Sequence, residues 1–196
     1  AFFDITSTHK DYRKIEKRIV GTVGVLSDKD WNVEEWNLKA VPLNEGFLTA
    51  SNVQHVGKGA NLYDLGFKYS GQFEVLKGLL RTGFLWDRVR VHGGAYGSGN
   101  SFDFFTGDYS LLSYRDPNLA ETLEVYDEIA DFLNHLELPS EELTKIIIGC
   151  VGKMDPPLTP DLKGKASMID HLTGRTHEMK QKFREELLST RIEDLK

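Results

Sequence analysis

The chain has 196 residues, 40% hydrophobic and 28% charged, with a formal net charge of −6. That is the size and composition of one globular domain with a sizeable core, and it excludes disordered and fibrous classes. Excess acid argues against a nucleic-acid partner, because phosphate binding needs a basic face; it is compatible with basic peptides.

No apolar run approaches the roughly 18 residues of a membrane span, so no membrane partner is expected, and no signal peptide is visible. The single cysteine, Cys150, lies in the apolar run Ile146–Val151. It reads as a small core residue; with no disulfide possible within the chain, nothing points to an oxidising compartment. The chain opens Ala1-Phe2-Phe3-Asp4-Ile5, without Met and already strand-like, which reads as a cut made inside a longer protein.

Taken in order, Phe2–Ser7 suggests a short strand. Thr8 caps a helix, with Asp11 as an approximate capping box and Tyr12, Ile15, Ile19, Val23 and Leu26 as its apolar stripe. Asp28–Lys39, with Trp31 and Trp36, reads as a loop. Gly46–Ala50 and Val53–Gly57 are extended runs. Phe73, Leu76, Leu80 and Phe84 mark the face of a second helix. Val89–Tyr114 is rich in glycine and aromatics and reads as antiparallel strands, since the connections are too short for helical crossovers.

The remainder is helical. Asp116 and Pro117 are expected to open one helix, with Leu119, Leu123, Tyr126, Ala130 and Leu133 buried. Ser140, Thr159-Pro160 and Thr176 are expected to open three more. The expected fold class is α+β, an antiparallel sheet with helices packed on one face, in a single domain over residues 1–196.

A zinc peptidase needs two His one helical turn apart beside a Glu. No two of His9, His55, His92, His135, His171 and His177 are four apart. The nearest approach is His177-Glu178-Met179-Lys180-Gln181, where Gln181 stands in place of the second His, so no metal ligand is expected in this chain. The glycine run Gly93–Gly99 lacks the Lys-Ser or Lys-Thr of a phosphate loop, and no Gly-x-Ser-x-Gly occurs.

What remains is Leu85–Gly99. Read as a strand, it puts Arg88 and Arg90 on one face, and Tyr96 follows across a Gly pair that lets backbone approach closely. A guanidinium and a phenol at a glycine-lined edge are both donors, able to hold a carbonyl oxygen or the oxyanion it becomes. On spacing alone, a surface Arg and a core Tyr beside a glycine bulge is the plainer reading. The residues give His92 no role, and Ser98 and Asn100 are possible wall residues of a binding chamber.

The run Trp86-Asp87-Arg88-Val89-Arg90-Val91-His92-Gly93-Gly94-Ala95-Tyr96-Gly97 resembles a signature of the C-terminal half of pitrilysin/insulinase-family zinc metallopeptidases. Val53–Leu62, Ser113–Leu119 and Lys182–Thr190 are similar to the presequence-protease (falcilysin-like) branch, so that the likeness covers about Val41 to Thr190. The resemblance implies a parent of four related α+β domains in two closing halves. Zinc would sit in the first domain, upstream and absent here, and this chain would be the last. Arg90 and Tyr96 would bind the scissile carbonyl and stabilise the tetrahedral intermediate, with Arg88 a competitor for the first role. Gly93, Gly94 and Ala95 would line the substrate. The implied partners are the N-terminal half of the same polypeptide and short unfolded peptides. The compartment would be the cytoplasm for a bacterial source and an organelle matrix for a eukaryotic one. The fragment alone would be inactive. An enzymatically inert relative and a peptide-binding or scaffold module are the alternatives.

Overall fold

A computed structural model describes residues 4–26, 34–36 and 44–196. Helix α1 spans His9–Val23. Thr8 caps it as expected, its side chain accepting the Asp11 N–H at 3.2 Å and donating to the Asp11 carboxylate at 2.7 Å. None of its residues is buried. The expected strand at Phe2–Ser7 does not form over Asp4–Ser7, and the rest of that stretch lies outside the described residues. So does most of the Asp28–Lys39 loop. Gly46–Ala50 forms no strand.

The sheet has three antiparallel strands in the order β1 (Gln54–Asn61), β3 (Asp108–Asp116), β2 (Gly97–Phe102). The register pairs His55 with Tyr114 and Tyr114 with Gly97, and pairs Val56 with Ser113 and Ser113 with Ser98. Alternation along β3 sorts the two faces. Leu111 and Ser113 are buried, whereas Leu112 and Tyr114 are exposed, Leu112 by 50%. One face therefore carries helices and the other is open, as the α+β expectation required.

Helix α2 (Gln72–Leu79) packs on the buried face and runs straight on through two wide π-helical stretches, Leu80–Phe84 and Trp86–His92. This corrects the strand expected from Val89. The alternation Val89-Arg90-Val91 suggests a strand, but Leu80, Phe84, Leu85 and Val89 are buried at helical spacing, and burial of that stripe prevails over local β-propensity. With Val56, Ala95, Leu111 and Tyr126 they form one core cluster.

Helices α3 (Ala120–Asp127) and α4 (Ile129–Asn134) follow, broken at Glu128 where one helix was expected. Asp116 ends β3 and does not open α3, which begins four residues later. Helices α5 (Ser140–Met154), α6 (Pro160–Thr173) and α7 (His177–Leu188) complete the chain with a short 3-10 turn, Ile192–Leu195. Pro139, not Ser140, stands at the N-cap of α5. Thr159-Pro160 and Thr176 open α6 and α7 as expected, Thr176 accepting the Met179 N–H at 3.2 Å. A second core cluster joins α2, α5 and α7 through Val75, Leu79, Leu143, Cys150 and Leu187. Cys150 donates to the Glu74 carbonyl at 3.4 Å, and burial pushes its thiol pKa up, the behaviour of a packing residue rather than a nucleophile.

Candidate functional site

The candidate residues gather where the long helical run gives way to the sheet. Val89 is buried and anchors the last turn, which closes on Gly93. A Cβ at Gly93 would lie 2.6 Å from the Val89 carbonyl oxygen, so this turn tolerates no side chain. Gly94 takes φ +78°, a left-handed geometry that lets the chain reverse from helix into β2. Ala95 is buried beneath the turn, and Tyr96 emerges from it 60% exposed.

Tyr96 is held by its backbone and its ring. Its N–H donates to the Arg115 carbonyl at 3.3 Å. Its ring meets Tyr114 edge to face at 5.2 Å, and the Arg115 guanidinium lies 5.6 Å from the ring centroid. The Tyr96 hydroxyl makes no hydrogen bond among the described residues, which leaves it available as a donor.

Arg88 and Arg90 do not share a face, which corrects the strand reading. Two residues apart on a helix, they project to opposite sides. Arg88 pairs with Glu128 at 2.6 Å and lies over the Phe84 ring at 5.6 Å. Arg90 stacks its guanidinium 3.8 Å from the centroid of Trp86 and makes no ion pair among the described residues. Arg88 is thus engaged with a carboxylate, and Arg90 is the cation left with a ring for company. Among the described residues no hydrogen bond or cation-π contact joins either arginine to Tyr96; the guanidinium beside that ring belongs to Arg115, which sequence reasoning missed. The visible signal for Arg115 is its place in the stretch Ser113–Leu119.

His92 sits with Nδ1 2.9 Å from the Asp87 carbonyl and 3.5 Å from its carboxylate, at the outer end of the same turn. Ser98 and Asn100 face the helices, not the open side. Ser98 donates to the Leu85 carbonyl at 2.9 Å and Asn100 to the Lys77 carbonyl at 3.1 Å. A cleft of about 420 Å³ with Lys77, Arg81, Lys153 and Arg175 in its lining lies on that helix-covered side; Asn100 also lines it, whereas Arg88, Arg90 and Tyr96 do not.

Among the described residues no three His, Cys, Asp or Glu side chains come together as a metal site. Nor is any helix there long and apolar enough to cross a membrane. Chemically, the arrangement offers hydrogen-bond donors on a rigid glycine turn beside an open sheet face.

A three-stranded antiparallel sheet backed by helices, with a glycine turn at its edge, defines an α+β domain. The family model for the PreP C-terminal domain matches residues 44–196, and the chain belongs to that family. It is 39% identical over 194 residues to presequence protease 1, chloroplastic/mitochondrial, of Arabidopsis thaliana, covering 98% of this chain and 18% of that protein. It is 39% identical over 187 residues to protein HypA of Clostridium perfringens, covering 95% and 19%. A mitochondrial presequence protease of Aspergillus oryzae is 28% identical over 190 residues, covering 97% and 18%. The chain therefore spans about a fifth of the length of these relatives.

Proposed function

We propose that this chain is the C-terminal, non-zinc-binding domain of a zinc metalloendopeptidase that degrades short unfolded peptides. It closes the catalytic chamber and contributes Arg90 and Tyr96 to the scissile carbonyl. The observation that supports this most is the state of Tyr96: backbone and ring are held from two sides while the hydroxyl is exposed and unspent. A donor fixed before substrate arrives is what oxyanion stabilisation requires, because no reorganisation is left for the reaction itself.

The described residues do not fit a zinc site, so in this reading the metal belongs to the rest of the parent polypeptide, where it would polarise the carbonyl. This domain's own contribution is to orient and to stabilise. Arg90 supplies a full charge that can leave the Trp86 face for an anionic oxygen. Tyr96 supplies a phenolic O–H. Gly93 and Gly94 offer a backbone that a peptide can approach closely, while Ala95, buried beneath them with its N–H on the Val89 carbonyl, supports the turn. Because these groups stand on a different half from the metal, the site is complete only on closure, which also restricts substrates to peptides that fit inside. Relatives named as chloroplastic/mitochondrial and mitochondrial support an organelle for a eukaryotic parent.

The test is the full-length parent carrying Tyr96→Phe or Arg90→Ala, assayed on an unstructured fluorogenic peptide. The expected loss in kcat is roughly 10- to 1000-fold for each, as for a missing oxyanion donor. Wild-type kcat in both variants would overturn the assignment.

A further inference from the structure

The end of β3 carries a polar network that the proposed chemistry does not use. Asp116 has no solvent exposure, and no Lys or Arg pairs with it among the described residues. Hydroxyls and an amide surround its carboxylate instead. Ser113 donates to Oδ2 at 2.5 Å and Thr122 to the same oxygen at 2.8 Å, while the Asn118 N–H donates to Oδ1 at 2.9 Å. A buried carboxylate without a cation persists only when such donors are placed for it.

The network reaches the candidate site through Asn118. Its side-chain amide donates to the Gly93 carbonyl at 2.5 Å, across 25 residues of sequence. Two further contacts come from the same segment. The Arg115 carbonyl accepts the Tyr96 N–H at 3.3 Å. The Arg115 guanidinium lies over the Tyr96 ring. The Gly93–Tyr96 turn is thus gripped at both ends by residues 115–118. Arg115 itself adopts φ +49°, the one left-handed non-glycine residue among those described, a conformation that costs energy and needs its neighbours fixed.

We propose that Asp116 and Asn118 are positioning residues, which fix the Gly93–Tyr96 turn on the end of β3 and so aim the Tyr96 phenol. Asp116 holds the 113–122 segment in shape, and Asn118 transmits that shape to the turn. Neither touches substrate. The proposal rests on the catalytic reading of Tyr96 for its kinetic consequence, but the mechanical part stands apart from it.

Two measurements on the full-length parent separate the parts. Hydrogen exchange in Asn118→Ala should speed up at the Gly93–Tyr96 amides by about tenfold, the loss of one hydrogen bond, with the α5–α7 amides unchanged. Unchanged exchange at the turn overturns the proposal whatever the activity. In kinetics, Asn118→Ala should lower kcat by about 10- to 100-fold with KM nearly constant, because a displaced donor is felt in the transition state. The decisive variant is Asn118→Ala combined with Tyr96→Phe. If Asn118 acts through Tyr96, the double variant is little worse than Tyr96→Phe alone; two losses that multiply overturn the positioning role. Asp116→Asn should act in the same direction as Asn118→Ala, and a wild-type kcat in both, beside an impaired Tyr96→Phe, overturns the proposal. Wild-type kcat in Tyr96→Phe, with the turn loosened by Asn118→Ala, instead strikes the catalytic reading and leaves the grip intact.

Discussion

Helix α1 and the helical run from α2 to His92 present similar apolar stripes in the sequence and meet opposite fates in the structure. Along α2 and its continuation, Val75, Leu79, Leu80, Leu85 and Val89 are almost entirely removed from solvent. Along α1, Ile15 and Val23 are each 39% exposed and no residue is buried. Periodicity defines which face of a helix is apolar; it does not say what covers it. Cover for the longer run comes from the sheet, through Val56 and Leu111, and from Tyr126 of α3. In the segment before α1, Thr6 lies against Gly164 of α6, where an added Cβ would collide with the Thr6 hydroxyl.

The largest test of that contrast is Leu85→Ala. Leu85 has no exposure and sits between the two π-helical stretches, so truncation leaves a cavity where the run crosses the sheet. The expected cost is about 2–5 kcal/mol, read by denaturant unfolding. A cost under about 1 kcal/mol would mean the run is loosely packed. The Gly93–Tyr96 turn would then stand on a softer base than its buried neighbours indicate.

A smaller effect is expected where α5 is tied to α7 by charge. Arg184 makes a two-pronged contact with Asp155, Nε to Oδ2 at 2.9 Å and a second nitrogen to Oδ1 at 2.6 Å. That hydrogen bonding holds the Asp155 carboxyl below its ordinary value of 3.8. The sign follows: a carboxyl with a lowered folded pKa adds stability that is complete above the unfolded value and is lost as pH falls through the folded one. The pair is solvent-exposed and screened, so Asp155→Asn should cost at most about 1 kcal/mol at pH 7. The difference from wild type should close below about pH 4, in unfolding curves taken across pH. A gap that persists at pH 2 would show that the pair acts through packing rather than charge.

How much was legible varies with the kind of constraint. The caps at Thr8 and Thr176, the proline opening of α6, the antiparallel sheet and the α+β class follow from local chemistry and short connections, and all are present. Val89–His92 misled, because a β-branched residue on either side of Arg90 imitates a strand, while the deciding contacts with Val56 and Leu111 are distant in sequence. The same error put Arg88 beside Arg90. Asp116 misled as a helix N-cap, because its partners Ser113 and Thr122 and its link through Asn118 to Gly93 are tertiary facts. The glycine pair was the clearest pointer to the site, since the close approach at Gly93 and the left-handed Gly94 leave no other residue type comfortable there.

The smallest expected effect bears most directly on α1. Ile15→Ala removes the same class of side chain from the same kind of stripe as Leu85→Ala does. Ile15, however, keeps 39% of its surface in solvent, and alanine is the better helix former. The two terms nearly cancel, so unfolding of the chain should shift by no more than about 0.5 kcal/mol. A cost above about 2 kcal/mol would require that α1 be packed against a partner surface in solution, and the contrast between the two helices would fail. A null result would leave α1 with an apolar stripe that adds nothing to this domain's own stability, in keeping with a family match that begins only at residue 44.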